Sequence, residues 1–234
     1  MTDKVQRLRL TFARDDAARY ITHLDVMRMW ERALKRADLP AAYSEGFSPR
    51  PRIALAAPLA VGMTSACELL ELTMAERVPL QRPLSALPRQ MPSGFRLLDV
   101  QEVPLGLPSL QSMLRSASYE VDVPDPRPPQ VWRGAIAALL ARDSVPWQHM
   151  RGDELREYDL RPLIFEAELI DPPGPGIARL RLRLRNDERG SGRCEQVTRA
   201  LGAEADPTRI HRLHLEIEEP QIARAAYRTA RPDD

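Results

Sequence analysis

The sequence predicts an α+β protein built from two tandem ferredoxin-like sandwiches, each with the element order β-α-β-β-α-β. Two observations predict this class. Short segments of alternating apolar residues, typical of strands, are separated by segments whose apolar residues recur at helical spacing. The same order occurs on both sides of the proline- and glycine-rich segment VPLGLPSL at 103–110. With 234 residues and 43% hydrophobic content, the chain has enough apolar material for two cores.

The first half begins with a strand at 5–13, where apolar and polar residues alternate. A helix follows at 23–37, because its apolar residues share one face, Thr22 stands at the N-cap and Asp25 stands in the capping-box position. The remaining predicted elements are strands at 52–61 (interrupted at Pro58), 67–74 and 95–103, and a weak, proline-broken helix near 79–91. The order in this half is therefore β-α-β-β-α-β.

The second half repeats this order after the 103–110 segment. Its predicted elements are strands at 118–123, 147–151, 163–170, 178–185 and 210–217, and helices at 129–142 and 193–201. The strands at 163–170 and 178–185 should form a hairpin around PPGPG. We expect one ferredoxin-like domain at 1–106, a second at 112–222, and a flexible tail at 223–234.

Composition restricts the function classes. Of 34 basic residues only two are lysines, so 32 are arginines, yet the net charge is +1. Global charge therefore does not argue for nucleic acid, and only local clustering can. Cys67 and Cys194 are too few for a disulfide framework or for a thiolate-bound cluster. No segment predicts a membrane helix or a signal peptide, so we expect a cytoplasmic protein without membrane contact.

Familiar cofactor motifs do not occur in the sequence. It contains no Walker loop, no G-x-G-x-x-G, no paired-cysteine motif and no zinc helix with paired histidine and glutamate. We therefore expect no metal site and no cofactor in this chain.

The segment YSEGFSPRPR at 43–52 predicts a shaped loop rather than a simple connection. Gly46 can adopt positive φ, and Pro49 and Pro51 restrict the backbone, which lowers the entropy cost of binding. A structural plug of the same composition is the alternative. The predicted ligand contacts from this loop are Tyr43, Ser44, Phe47 and Arg50.

The helix at 23–37 offers two further features. His23, the only candidate catalytic residue, would be the first helical residue, where the positive end of the helix dipole favours a neutral imidazole that can act as a base. The alternative is that His23 only caps the helix and packs against neighbouring residues. Arg28, Arg32 and Arg36 form a stripe that is either a solvated face or a surface for an anionic ligand, and Asp25 compensates part of its charge.

In the second half, RLRLRLR at 179–185 alternates strictly and predicts an exposed arginine face opposite a leucine face. Gly190, Ser191 and Gly192 follow it and precede a helix near Arg193. Free backbone N–H groups in such a turn can hold an anion, although glycine turns before helices are common.

The chain resembles a bacterial family, the radical-SAM-linked domain of unknown function. The resemblance is carried by four blocks: ITHLDVMRMWERALKRADLPAAYSEGFSPRPRIALAAPLAVGM at 21–63, YDLRPLI at 158–164, GSGR at 190–193 and RIHR at 209–212. Glu45, Ser48 and Arg50 depart from the family pattern, which has glutamine, asparagine and histidine there. Arg50 suits anion binding, so the departure favours recognition over catalysis.

This resemblance implies a radical SAM protein as partner, since members are fused to such an enzyme or encoded beside one. The iron–sulfur cluster and S-adenosylmethionine would belong to that partner. Our leading hypothesis is a non-catalytic accessory module that binds or presents the partner's substrate, with RNA as a candidate. We expect His23 and Asp25 to belong to the ligand site of the 43–52 loop, where they shape it. The remaining predicted ligand-binding residues are Tyr158, Asp159 and Arg161, expected between the domains, and Ser191 and Arg193.

Two alternatives remain open. The chain is also similar, at the level of fold, to the tandem ferredoxin-like endoribonucleases that process CRISPR repeats. That likeness predicts a metal-independent RNA endonuclease with His23 as base and Tyr43 or Arg50 as electrostatic support. The third hypothesis is a protein scaffold for the radical SAM enzyme that has no affinity for nucleic acid.

Overall fold

The structure, a computed structural model, describes residues 4–220 and 228–230. The chain forms two compact units: the described residues of Met1–Leu114 with those of Ile217–Asp234, and Arg115–Glu216. The predicted α+β class is confirmed, with more strand than helix. The division into domains at 1–106 and 112–222 stays a prediction about independent folding, and the predicted tail at 223–234 lies outside the described residues apart from the short strand Arg228–Ala230.

The first unit combines an antiparallel sheet with helices that lie in the connections between its strands along the chain. Its elements in chain order are β1 Gln6–Arg14, α1 His23–Arg36, β2 Ile53–Leu55, β3 Thr64–Met74, α2 Gln81–Ala86, β4 Phe95–Val103 and α3 Leu110–Met113. The sheet order within these strands is β4-β1-β3-β2, and each neighbouring pair is antiparallel. Arg228–Ala230 pairs with β4.

The core of this unit lies where α1 covers β1. Leu8, Leu10 and Phe12 are buried on one face of β1, as the alternation predicts. Trp30 of α1 is fully buried, and its ring meets Phe12 edge-on with ring centroids 5.1 Å apart. This contact holds the helix against the sheet and sets which face of α1 stays in solvent.

The helix begins where the sequence predicts. The Thr22 side chain accepts a hydrogen bond from the Asp25 backbone N–H at 3.3 Å and donates one to the Asp25 carboxylate at 2.6 Å. The hydroxyl thus satisfies an N–H that has no partner within the helix. The hydrogen bond from Thr22, aided by Arg28, lowers the pKa of Asp25, so the carboxylate stays ionised beside the positive helix end.

Two predicted elements of this unit are shorter in the structure. The strand predicted at 52–61 is only Ile53–Leu55, because the chain leaves β3 before Pro58, which cannot donate a ladder hydrogen bond. The helix predicted near 79–91 is α2 followed by a single 3₁₀ turn at Pro88–Gln90. Prolines remove N–H donors from both segments.

The sheet face of the first unit that carries Arg9 holds a buried ion pair. Arg9 and Glu71 stand directly opposite across β1 and β3, with Nη2 of Arg9 2.8 Å from Oε1 of Glu71. Arg7 also donates to Glu71. Burial lowers the pKa of Arg9, but hydrogen bonds to Glu219 and Glu71 outweigh burial and raise that pKa above its usual value, so Arg9 stays charged.

The second unit repeats the antiparallel arrangement. Its elements are β5 Leu114–Pro124, α4 Pro129–Leu140, β6 Pro146–Arg151, β7 Glu154–Asp159, β8 Ile164–Ile170, β9 Ile177–Asp187, β10 Gly190–Ser191, α5 Cys194–Ala200 and β11 Arg209–Ile217. The order of its main sheet is β8-β9-β5-β11. β6 and β7 form a separate two-stranded hairpin, inserted between α4 and β8, and β7 is an element that the sequence did not predict.

Strand β9 separates apolar from charged residues, as RLRLRLR predicts. Leu180, Leu182 and Leu184 are fully buried. On the other face, Arg179 bonds Asp122 of β5 at 2.6 Å and Arg183 bonds Glu166 of β8 at 2.6 Å. Carboxylates of neighbouring strands therefore balance most of the charge on this face, and these ion pairs stabilise the sheet.

Replacing Thr22 tests the cap at the start of α1. Thr22→Ala removes both contacts of the hydroxyl and should lower the free energy of unfolding by about 1 kcal/mol. Thr22→Ser keeps the hydroxyl and should stay close to the wild type in urea denaturation followed by circular dichroism. An unchanged midpoint for Thr22→Ala would show that the cap does not stabilise the helix.

Candidate functional site

The second unit contains a cavity of about 620 Å³ beside the β6–β7 hairpin. One wall is the hairpin, and the others are the segment at 162–163 and the end of β9 with the turn that follows it. Four arginines line it: Arg156, Arg185, Arg189 and Arg193. The site therefore gathers basic side chains from two separate parts of the chain, the hairpin and the end of β9 with its following turn.

Two of these arginines are held in place by the protein. Arg185 donates from Nε to the Pro162 carbonyl at 3.2 Å, lies 3.5 Å from the Asp187 carboxylate, and stacks 5.4 Å from the centroid of the Phe165 ring. Arg156 pairs with Glu154 at 2.8 Å along the exposed hairpin. Their guanidinium groups are partly compensated, and Arg185 in particular has a fixed position.

The other two arginines have no carboxylate partner among the described residues. Arg189 and Arg193 are exposed, and neither side chain makes an ion pair in the part of the chain that the structure describes. An ionised guanidinium group in a concave site attracts anions, and its planar fork fits two oxygens of a phosphate or a carboxylate. Arg189 and Arg193 thus supply two positive charges that remain for a ligand.

An aromatic pair forms the hairpin wall of the cavity. The rings of His149 and Tyr158 meet edge-to-face at 5.5 Å between centroids. The Tyr158 hydroxyl donates to the Gln196 side chain at 2.5 Å, which fixes the ring relative to α5. Burial raises the pKa of Tyr158, so its phenol stays neutral at physiological pH. Nδ1 of His149 is enclosed and has no hydrogen-bond partner among the described residues.

Asp159 also lines the cavity, but its carboxylate serves the fold. Oδ1 accepts hydrogen bonds from the backbone N–H of Val145 at 2.8 Å and of Arg161 at 2.9 Å, and these bonds lower the pKa of Asp159. Arg161, predicted as a ligand contact, instead donates to the carbonyls of Leu140 and Ile164. The two residues close the base of the hairpin and position its aromatic wall.

The glycines of the GSG turn are required by close packing against Leu163. A Cβ at Gly190 would lie 2.8 Å from a Leu163 methyl group, and one at Gly192 would lie 2.9 Å from the Leu163 carbonyl oxygen. The Gly192 N–H donates to the Arg185 carbonyl, so it is not free to hold an anion as the sequence suggested. Ser191, at the rim, offers its exposed hydroxyl instead.

In the first unit, the predicted loop is a closed clasp. The Ser44 N–H donates to the Arg50 carbonyl at 2.8 Å, and the Arg50 N–H donates back to the Ser44 hydroxyl at 3.0 Å. Tyr43 forms a bridge with Pro51 just outside this pair. The clasp leaves the Phe47 side chain completely exposed at its tip and Arg50 in solvent.

His23 does not share a cavity with that loop. It borders a cleft with room for about 10 Å³, whose other described walls include Arg14 and Glu68 and no residue of 43–50. On the exposed face of α1, Arg28 pairs with Asp25 at 3.2 Å and Arg36 donates to the Gln90 carbonyl. Arg32 is exposed. Part of the predicted basic stripe is therefore used within the unit.

The sequence predicted Tyr158, Asp159, Ser191 and Arg193 among the ligand residues, and the structure brings these four to one cavity. Arg156, Arg185, Arg189 and His149 were missed. Three of them lie on strands or turns whose charge looks like an ordinary solvated surface. Only the spacing of arginines on both sides of the GSG turn offered a signal.

No group of three or more metal-ligating side chains occurs within the described ranges. None of the helices formed by those residues is long and apolar enough to span a lipid bilayer.

A family model described as "Uncharacterized protein conserved in bacteria (DUF2344)" matches residues 7–193. The chain belongs to this family. The match covers the loop of the first unit and reaches Arg193 at the cavity of the second. No curated protein sequence matches the chain.

Three similar solved structures are chains from multi-component complexes. A chain in a Cbf5-Nop10-Gar1 complex aligns at a TM-score of 0.49 and 10% identity, covering 91% of this chain and 49% of its own. Chains from an H/ACA RNP bound to a substrate RNA containing 2′-deoxyuridine and from an archaeal box H/ACA sRNP Nop10-Cbf5 complex both align at 0.44 and 11% identity. They cover 87% and 89% of this chain. The chain spans about half the length of each, at 49%, 47% and 47%.

Asp159→Asn tests the anchor of the hairpin through its pH dependence. A carboxylate whose pKa is lowered in the folded state contributes stability that is fully present above its unfolded value, here 3.8, and is lost as the pH falls through the lower folded value. Asp159→Asn should therefore be less stable than the wild type at pH 7, and the difference should shrink below pH 3.8.

Urea denaturation at pH 7 and pH 3 measures both effects. Asp153→Asn, in the exposed turn of the same hairpin, is the matched control and should unfold like the wild type at both pH values. A stability difference for Asp159→Asn that is independent of pH would contradict the role of the ionised carboxylate.

Proposed function

We propose that this protein is a non-catalytic accessory module that works with a radical SAM enzyme and binds the RNA on which that enzyme acts. The observation that carries the proposal is the arginine cavity of the second unit, in which Arg189 and Arg193 have no described carboxylate partner. The radical SAM partner is proposed from the resemblance of the motifs at 21–63 and 158–164.

The cavity supports recognition of a phosphate-bearing ligand. Most other arginines of the second unit's sheet are balanced, for example Arg179 by Asp122 and Arg183 by Glu166. In the cavity, two arginine charges are not paired with described carboxylates, and two aromatic rings lie beside them. Single-stranded RNA needs both features, because positive charge binds its phosphates and an aromatic surface lets a base stack. Arg185 is already fixed, which reduces the entropy lost on binding.

The loop of the first unit supports a second contact region. The clasp between Ser44 and Arg50 holds Phe47 and Tyr43 exposed beside two arginines, Arg50 and Arg52. A rigid loop with exposed aromatic and basic side chains suits a nucleic-acid strand, because every base has a face for stacking. Arg28, Arg32 and Arg36 would add electrostatic attraction from α1.

The radical chemistry would belong to the partner. This sequence has two cysteines, fewer than an iron–sulfur cluster needs. Cys194 is buried, and burial raises the pKa of its thiol well above the usual value, so it is a poor metal ligand and nucleophile. His23 borders a cleft that holds about one water molecule, too small for a nucleotide.

The strand order in each unit supports the more specific fold interpretation. Four main strands in the order 4-1-3-2, with helices in the first and third connections, are the arrangement of a ferredoxin-like sandwich. We interpret each unit as one such sandwich, and the second as carrying the β6–β7 hairpin as an insertion.

RNA binding by the full chain tests the function, with a 5′-phosphorylated, fluorescently labelled single-stranded RNA and anisotropy at several salt concentrations. The affinity should fall steeply with salt, and replacing both Arg189 and Arg193 by alanine should weaken binding and reduce the slope of log K against log salt by roughly 1.4. The control is Arg133→Ala with Arg142→Ala, which removes the same charge from exposed positions on or beside α4.

Three results would count against the proposal. If neither the wild type nor the control variant binds RNA, the proposed RNA-binding role is wrong. If both double variants lose affinity equally, binding follows net charge rather than the cavity. Cleavage of the RNA without added metal, lost in His23→Ala, would favour the endonuclease instead.

A second measurement tests the loop. Phe47→Ala should lower RNA affinity without changing the melting temperature, since the side chain is fully exposed and contributes nothing to the core. The loss should be about tenfold if one base stacks on this ring. Ser48→Ala, the neighbouring exposed residue, is the control. A lower melting temperature for Phe47→Ala would indicate a structural loop.

Capture from native cell extract tests the partner. The tagged full-length chain should recover both RNA and an iron–sulfur protein of the radical SAM class, and the RNA should be released at high salt. Recovery of the iron–sulfur protein without RNA would favour the scaffold alternative.

A further inference from the structure

We infer that the arginine cavity of the second unit recognises a nucleotide through a phosphate monoester, the dianionic group found at the end of an RNA chain or on a free nucleotide. This inference rests on the proposed function and makes it more specific, because it names the chemical group that the cavity selects.

The unpaired positive charge of the cavity matches the charge of a phosphate monoester. The carboxylates of Glu154 and Asp187 compensate Arg156 and Arg185, while the described structure supplies no such partner for Arg189 and Arg193. A phosphate monoester carries close to two negative charges at pH 7, whereas each phosphodiester inside an RNA chain carries one. Two uncompensated guanidinium groups in one cavity therefore match a monoester better than a single internal phosphate.

The acid in the cavity does not weaken this match. Asp159 accepts hydrogen bonds from two backbone N–H groups, those of Val145 and Arg161. These bonds direct Oδ1 towards the backbone, and the positive charge of Arg161 interacts with the carboxylate and offsets its negative charge. Arg189 and Arg193 remain to bind the anion.

The volume and the aromatic wall of the cavity suit a nucleotide. The volume of about 620 Å³ lies within the range of roughly 300–1,000 Å³ that is typical of pockets for small ligands. The aromatic pair His149 and Tyr158 forms one wall, and the Tyr158 hydroxyl is already used by Gln196. The Tyr158 contribution to a ligand is therefore ring contact, which suits a base, while the arginines hold the phosphate.

A comparison of matched ligands tests the inference on the full-length protein. The probes are an octameric RNA with a 5′-phosphate, the same RNA with a 5′-hydroxyl, adenosine 5′-monophosphate and ribose 5-phosphate. The 5′-phosphorylated RNA should bind about tenfold more tightly than the hydroxyl form. Adenosine 5′-monophosphate should bind about tenfold more tightly than ribose 5-phosphate, because the base stacks.

Variants connect these preferences to the cavity. Arg189→Ala with Arg193→Ala should abolish the preference for the phosphorylated end. The Arg133→Ala, Arg142→Ala control should keep it. Tyr158→Leu should reduce the advantage of adenosine 5′-monophosphate over ribose 5-phosphate, and Tyr158→Phe, which keeps the ring, should retain it. Circular dichroism on each variant confirms that it is folded.

The outcomes separate this inference from the function on which it rests. Equal affinity for phosphorylated and hydroxyl RNA, with both lost in the Arg189, Arg193 variant, would overturn the inference and leave the RNA-binding function standing. Equal affinity for adenosine 5′-monophosphate and ribose 5-phosphate would overturn the nucleotide assignment. Binding of none of the four probes would overturn both. Binding of adenosine 5′-monophosphate without either RNA would overturn the RNA-binding function and leave the inference standing. Relative affinity for the phosphorylated RNA and the free nucleotide identifies the source of the monoester.

Discussion

Guanidinium groups need acceptors, and in a chain with 32 arginines the positions of those acceptors decide which arginines are left for a ligand. Arg9 is buried and satisfied by Glu71 and Glu219, and Arg161 is satisfied by two backbone carbonyls. Along β9, most of the arginine face is balanced by carboxylates from β5 and β8. This pairing across strands ends after Arg183, and the candidate site begins at Arg185, whose acceptors are the Pro162 carbonyl and Asp187 of the same strand.

The turn after β9 concentrates charge because it must be tight. Gly190 and Gly192 let the backbone approach Leu163 more closely than any side chain would allow, which brings Arg189 and Arg193 to the same cavity as Arg185. In the same cavity, Asp159 holds the base of the β6–β7 hairpin through two backbone hydrogen bonds. In the proposed binding surface, the backbone of the turn and Arg185 are thus held in place without a ligand.

Much of the fold could be predicted where an element buries one face. The alternation at 5–13 predicted β1, and Thr22 predicted the start of α1. The prediction failed where burial gave no signal. Strand β7 has no buried residue in its described length, so its sequence shows no apolar alternation, and it exists because its backbone pairs with β6. β2 is short because the segment around Pro58 cannot continue the ladder.

For the site, the sequence by itself determined the residue types and the local shapes: an arginine-rich strand, a glycine turn, a clasped loop and a capped helix. These depend on neighbours along the chain, through side-chain alternation, φ preferences and hydrogen bonds over a few residues. Only the tertiary structure decided which arginines are balanced, because their carboxylate partners lie on other strands, as Asp122 does for Arg179. It alone placed His149, Tyr158 and Arg193 around one cavity, since packing, and not sequence spacing, brings distant segments together.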